Sequence, residues 1–336
     1  MTFQKDVEAI CDKLHIPQPV TNGFLEFCSY YEASCKKGGT DPHTLLPLFS
    51  TFLSSVQKEL KNPYVFGPYH RAIFSPIDYY QLGLDFVRPM IDHTHSMLLG
   101  KKLLSDIQLA LQNKENVVLL ANHQTEIDPQ IISLLLEQHY PQLARDMIFV
   151  AGHRVVTDPL AVPFSLGRNL ICIYSKRHVE TPIEKKAEKL AHNQKALKAL
   201  EDLFNDGGKC IYVAPSGGRD RVDAHGIPQV APFDPQSIEL FYLLSQKARH
   251  ATHFYPLTLA TYNLLPPPQD IQTQIGEKRT TSFSPAHVVF GERIDMQHIG
   301  ECHKVTDKKE KRAVRAQAIW QLVASDYESL PIKKAP

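Results

Sequence analysis

The chain has 336 residues, of which 43% are hydrophobic and 22% charged, with a formal net charge of +1. These proportions exclude a disordered chain, and a charge so close to zero supplies no global field to gather nucleic acid or an anionic membrane, so an anionic partner must be met by a local patch. No window reaches the roughly 18 uninterrupted apolar residues of a membrane span, which leaves only peripheral contact with a bilayer, and the scattered cysteines (Cys11, Cys28, Cys35, Cys172, Cys210, Cys302) show neither metal-ligand nor redox spacing, as in a reducing compartment.

The first residues, Met1 to Glu8, lack the basic start and apolar core of a secretory signal and the Arg- and Ser-rich character of a transit peptide, so the expectation is a cytoplasmic or already processed chain. From residue 4 to about 60 only helical spacing occurs: Val7, Ile10 and Leu14; then Phe24, Phe27, Tyr31 and Cys35 behind a capping pair Thr21-Asn22; then Leu45, Leu48, Phe52 and Val56. This predicts a small helical bundle over 1–75. The stretch from Asn62 to Pro76, rich in proline and aromatic residues, loses the period and reads as the connector.

Beyond it, over 76–336, short β-type runs at 116–121, 147–151, 170–174, 209–214, 253–260 and 287–291 alternate with helical stretches at 128–139, 183–205, 236–249 and 310–328. Alternation of this kind predicts an α/β domain with a mostly parallel mixed sheet flanked by helices, whose ligands bind in loops leaving the carboxyl ends of strands. Leu265-Pro266-Pro267-Pro268 reads as a stiff surface connector.

Three strand-end loops carry reactive residue types. In Ala121-Asn122-His123-Gln124-Thr125-Glu126-Ile127-Asp128-Pro129 a histidine and a carboxylate stand five residues apart, which on one helix would separate them but across a strand-turn-helix corner can join them. A neutral imidazole removes a hydroxyl proton, and a carboxylate on its other nitrogen fixes the tautomer and stabilises the imidazolium. Asp128 before the favoured first-turn proline also reads as a helix N-cap, with one carboxylate oxygen capping the helix while the other holds His123; the alternative makes Asp128 only a cap and His123 a surface turn residue. Tyr174-Ser175-Lys176-Arg177-His178 ends the strand at 170–174 in positive charge, either toward the ligand crevice or as a solvated loop.

The helix beyond Pro182 is read with Ile183, Ala187, Leu190, Leu197, Leu200 and Phe204 inward and Lys185, Lys186, Lys189, Lys195 and Lys198 outward, a solvated face or a dock for an acidic protein. The third loop, Ala214-Pro215-Ser216-Gly217-Gly218-Arg219-Asp220-Arg221, sends Arg219 and Arg221 to one face of an extended segment and Asp220 to the other. Two guanidiniums beside glycines suit a phosphate, without the spacing or lysine of a P-loop; a glycine turn with solvated arginines is the alternative.

Together, and in this order, the three blocks resemble those of the plastid-type glycerol-3-phosphate 1-acyltransferases, within the acyltransferase superfamily that carries an H-x-x-x-x-D signature. The resemblance covers most of the chain. It implies transfer of a fatty acyl group from acyl-carrier protein or acyl-CoA to the 1-hydroxyl of glycerol 3-phosphate, without a cofactor or metal, in the plastid stroma or a bacterial-type cytoplasm. It also implies that His123 is the general base, Asp128 its partner, and Arg177, His178, Arg219 and Arg221 the phosphate ligands, with Lys176, Gly217, Gly218 and Pro256 near the substrate. By pattern alone Pro256 is only a proline in an apolar run. The soluble family typically has lysine where this chain has Arg177, which replaces a point charge by a flat fork. Membrane-bound relatives usually carry a Glu-Gly-Thr-Arg-like block where Ser216-Gly217-Gly218-Arg219 stands here.

The expected chemistry is direct transfer. A covalent route would need a nucleophile, and Cys172 and Cys210 fall in strands read as buried, while Ser216 has no histidine near it in sequence. Two other readings stay open: acylation of lysophosphatidic acid at its second hydroxyl, and a phosphate-binding module with no catalysis.

Overall fold

The computed structural model describes residues 2–268 and 279–331, apart from the side chains of Lys176 and Arg177. Helices α1 (Phe3–Lys13), α2 (Gln18–Lys37) and α3 (Leu46–Lys61) form where the apolar residues recur at helical spacing, and each buries that face. One boundary differs from expectation. The α2 helix starts after Pro17, with Pro19 in its first turn, and takes Thr21 and Asn22 inside; proline there gives up only an amide that has no intrahelical partner. The three helices meet α4 (Tyr79–Val87) in an aromatic cluster. Phe86 is its hub, with ring centroids 5.0 Å from Phe49, 5.1 Å from Phe52 and 5.2 Å from Tyr31, whose hydroxyl donates to the Phe86 carbonyl at 2.8 Å. Such offset ring pairs add about 0.5–1.5 kcal/mol each beyond area burial.

The strands are β1 (Tyr69–His70), β2 (Met97–Leu99), β3 (Asn116–Ala121), β4 (Ile148–Gly152), β5 (Asn169–Ile173), β6 (Cys210–Val213), the hairpin β7 (Arg221–Val222) and β8 (Pro228–Gln229), β9 (Thr252–Ala260) and β10 (His287–Phe290). Eight make one sheet in the order β1-β5-β4-β6-β3-β9-β10-β2. Pairing is parallel from β5 through β4, β6 and β3 to β9 and again between β10 and β2, and antiparallel where β1 meets β5 and β9 meets β10. The six strands expected from apolar runs are all present; β1 and β2, two and three residues long, add the edges. The remaining helices are α5 (Lys101–Gln112), α6 (Asp128–Leu136), α7 (Pro141–Asp146), α8 (Val162–Leu166), α9 (Lys176–Val179), α10 (Lys186–Asp206), α11 (Pro235–Lys247) and α12 (Lys308–Ser329).

The central strand β3 is buried along its whole length and obeys the period of two: Val117, Leu119 and Ala121 pack with α5 and α6, while Val118 and Leu120 pack with α10, α11 and α12. Parallel register sets Leu120 beside Val213 of β6 and beside Pro256 of β9. The loops that follow Ala121 and Val213 therefore leave the same sheet edge, one strand apart.

Candidate active site

The loop after β3 is held by its side chains. Asn122 reads the edge of β9 as a strand would: its amide donates to the Leu259 carbonyl at 2.9 Å and its oxygen accepts from the Leu259 amide at 2.8 Å. Gln124 Oε1 accepts from the amides of Thr261 and Tyr262 at 2.7 and 2.9 Å, and the Tyr212 hydroxyl donates to the Asn122 carbonyl at 2.9 Å. Both clamping residues are fully buried, and the imidazole of His123 stands between them with 28% of its side chain exposed.

Its Nδ1 lies 2.8 Å from Asp128 Oδ2. The same oxygen accepts from the amides of Gln124 at 2.8 Å and Thr125 at 3.2 Å, and Oδ1 accepts from the Thr261 hydroxyl at 2.6 Å. A buried carboxylate so surrounded by donors places the hydrogen on Nδ1 and leaves the lone pair on Nε2. The capping role expected of Asp128 is overturned. It is the first residue of α6, and its carboxylate turns back onto the preceding loop instead of reaching the helix amides. Asn122, Gln124 and Thr261 were not singled out from sequence; the Asn122 and Thr261 contacts cross more than 130 positions and have no local signal.

In the loop after β6, Gly217 takes a φ of +66°, and side-chain carbons built on Gly217 or Gly218 would meet nothing within 4 Å. Arg219 Nη1 lies 3.3 Å from Glu126 Oε1, inside the H-x-x-x-x-D interval. Arg279 approaches the other Glu126 oxygen at 3.2 Å and Asp158 at 2.6 Å. Burial disfavours the Glu126 carboxylate, but the guanidiniums of Arg279 and Arg219 outweigh it and hold its carboxyl below the usual range. Arg221 is exposed and donates to the Pro268 carbonyl at 3.2 Å.

Asp220 points inward and is fully buried. Its Oδ2 accepts from Asn122 Nδ2 at 2.8 Å and Gln124 Nε2 at 3.2 Å, its Oδ1 accepts from the Ala231 amide at 2.9 Å, and its own amide donates to the His123 carbonyl at 2.7 Å. Burial is the main reason its carboxyl is pushed up to about 6, against the opposing pull of these hydrogen bonds.

The loop after β5 turns into α9. His178 Nδ1 lies 2.8 Å from the Ser175 hydroxyl, and the side chains of Lys176 and Arg177, both expected at the site, lie outside the described residues. On α10 and the residue before it, Lys185, Lys195 and Lys198 face outward as expected, and Lys189 departs from expectation. Lys189 is buried and donates to the carbonyls of His178 and Thr181 at 2.7 and 2.5 Å, while Ile183 and Leu190 are exposed. The Lys189 stem leaves the start of α10 while its ammonium reaches the carbonyls at the end of α9 and just past it, so at this one position the expected outward lysine is turned inward. Lys186 pairs with Glu180, and Lys198 with Glu201 and Asp202. Pro256 is buried midway along β9, against Gly291, and does not line the cavity described next.

A cavity of about 160 Å³ opens beside His123 and runs into the helical region. Glu126, Arg279 and His123 line it with the aromatic rings of Phe24, Phe27, Phe52 and Phe164. The N-terminal helices thus supply one wall of the space that the imidazole faces. Cys172 and Cys210 are buried with thiols pushed up to about 12 by desolvation, which leaves them inert as nucleophiles.

A family model described as Acyltransferase matches residues 105–260, from α5 through the end of β9. The chain is 39% identical over 318 residues to the chloroplastic glycerol-3-phosphate acyltransferase ATS11 of Cucurbita moschata, covering 94% of this chain and 71% of the relative. It is 36% identical to the chloroplastic glycerol-3-phosphate acyltransferase of Spinacia oleracea and 34% identical to that of Arabidopsis thaliana, each over 94% of this chain and 67% and 69% of the relative. With the H-x-x-x-x-D pair at one end of an apolar cavity, and identity at this level along nearly the whole chain, the protein belongs to the family of plastid-type glycerol-3-phosphate acyltransferases.

Proposed function

We propose that the protein transfers a fatty acyl group from a thioester to the 1-hydroxyl of glycerol 3-phosphate, with His123 as general base and no covalent enzyme intermediate. One observation carries this reading: Asp128 takes Nδ1 of an imidazole that lines an apolar cavity, so the nitrogen bearing the lone pair is left for the reacting hydroxyl. Glycerol 3-phosphate is held through its phosphate by Arg219 and Arg221, with Arg177 and His178 as further ligands beside the open glycines Gly217 and Gly218. Nε2 removes the proton of the 1-hydroxyl as that oxygen attacks the thioester carbonyl. Collapse of the tetrahedral intermediate breaks the carbon–sulfur bond, and the imidazolium returns its proton to the leaving thiol. The products are 1-acyl-glycerol 3-phosphate and the free thiol.

Orienting bound reactants supplies effective molarities of about 10⁵–10⁸ M, and the base adds about 10²–10⁴. The acyl chain occupies the cavity, where each methylene removed from water contributes about 0.8 kcal/mol. Arg219 is paired with Glu126 before phosphate arrives. Arg279 shares that carboxylate, so Arg219 can turn to a phosphate without leaving Glu126 unpaired in a little-exposed position.

The donor is acyl-carrier protein or acyl-CoA, and the chloroplastic names of the relatives favour the plastid stroma as the compartment. The test compares both donors at equal concentration, with glycerol 3-phosphate and lysophosphatidic acid as alternative acceptors. Faster product formation from glycerol 3-phosphate supports the reading. Preference for lysophosphatidic acid would overturn it, and so would binding of glycerol 3-phosphate without product from either donor.

A further inference from the structure

We infer that Asp220 is a positioning residue that makes phosphate binding and the orientation of His123 a single event. This rests on the acyltransfer reading above and assigns a task to a residue that the reaction as written does not use. Asp220 stands between Arg219 and Arg221, yet its side chain turns the other way. Through Oδ2 it accepts from the side chains of Asn122 and Gln124, the two residues that flank His123, and its backbone amide donates to the carbonyl of His123 itself. Three links from one residue of the arginine loop therefore converge on the three consecutive residues that carry the imidazole.

The far ends of those links are fixed. Asn122 and Gln124 are bonded to the edge and end of β9, and the second oxygen of Asp220 accepts from the Ala231 amide just beyond β8. A buried carboxylate costs more than a neutral acceptor unless its charge meets enough donors. Here all three partners of the carboxylate are N–H donors, two of them side-chain amides whose oxygens already accept from Leu259 of β9 and from Thr261 and Tyr262 just past it. A phosphate that draws Arg219 and Arg221 together moves the residue between them. Because the connected groups are buried and mutually bonded, that movement reaches the imidazole, where a misplacement of about 1 Å can cost about 10²-fold in rate.

The test is Asp220→Asn in the full chain. Asparagine keeps the shape, but either flip of its amide sets a donor against Ala231 N–H or against the amides of Asn122 and Gln124. The expected result is a fall in kcat of about 10²-fold at saturating glycerol 3-phosphate, normalised to the folded fraction from calorimetry. Arg219→Ala should then cost clearly less in the Asp220→Asn background than in the wild type, because the arginine's effect on turnover passes through Asp220. A kcat within about threefold of wild type, or full additivity of the two substitutions, would overturn the inference.

Should Asp220→Asn fail to fold, the wild-type protein still decides the matter. The His123 imidazole ¹⁵N signals, assigned with His123→Gln, must move on addition of inorganic phosphate alone, and signals that stay in place while phosphate binds contradict the coupling. The two levels of the account fail differently. A wild-type protein that makes no product from glycerol 3-phosphate removes the acyltransfer reading, whereas an active wild type with an unaffected Asp220→Asn variant removes only the role of Asp220.

Discussion

The loops after β3 and β6 leave neighbouring strands at one sheet edge, yet they are built in opposite ways. In the first, Asn122, Gln124, Thr125 and Asp128 are fully buried, and the hydrogen bonds of Asn122, Gln124 and Asp128 run to groups on β9, just past its end and within the loop, so the imidazole moves only with this network. In the second, Gly217 and Gly218 face open space and Arg221 lies at the surface. A base that works on a bound hydroxyl loses rate for every fraction of an ångström of play, while a site that admits a charged acceptor from water needs room and exposed donors. Asp220 belongs by sequence to the open loop and by its contacts to the rigid one.

The contrast can be attacked first where it is most rigid. Asp128→Asn keeps the shape but puts an amide donor among the groups that now donate to the carboxylate, which disfavours the hydrogen on Nδ1. A fall in kcat of about 10³–10⁴-fold is expected, with the half-saturating glycerol 3-phosphate concentration little changed. A loss confined to acceptor affinity would mean that the pair is not the base. Arg219→Ala and Arg221→Ala address the open loop and should raise the half-saturating concentration of glycerol 3-phosphate by about tenfold to a hundredfold in initial-rate assays, with a smaller fall in kcat that for Arg219→Ala passes through Asp220. If only the acyl-donor constant moved, the phosphate would bind elsewhere.

Leu160→Trp narrows the apolar cavity and should shift preference toward shorter acyl chains by about 0.8 kcal/mol per methylene excluded, read from competition between thioesters of different length. An unchanged chain-length profile would place the acyl group outside this cavity. The last expected effect concerns stability rather than turnover. Because the Asp220 carboxyl is raised to about 6, the folded protein still holds its proton at pH values where the unfolded chain has released it, so stability falls as pH rises from about 4 to 6. Asparagine has no such titration. In urea unfolding, the stability of Asp220→Asn relative to wild type should improve by about 2–3 kcal/mol between pH 4 and 7, and a difference independent of pH would remove the premise of a raised carboxyl.

What could be read from sequence divides along physical lines. Runs such as Val117 to Leu120 announce buried strands through composition alone, and the six long strands follow from them. Strands as short as Tyr69–His70 form only because β5 offers an edge, and no local pattern marks them. The meeting of His123 and Asp128 was legible because the turn between them is local, whereas the direction of the carboxylate was not, since Thr261 arrives from the end of β9. Arg219 was legible as a cation and illegible as half of an ion pair with Glu126, 93 positions away. Lys189 shows the limit of helical periodicity: the pattern set it outward, and in the structure its ammonium is buried and donates to the carbonyls of His178 and Thr181. The cavity aromatics have the same period as core residues, and only packing shows that a space remains between them.

The most direct test of the central claim is single-turnover acyl transfer by His123→Ala, with both substrates saturating and binding measured in parallel. The account predicts that glycerol 3-phosphate and the acyl thioester bind with near-native affinity while the transfer rate drops by about 10²–10⁴-fold. Transfer at a near-native rate by the variant would contradict it.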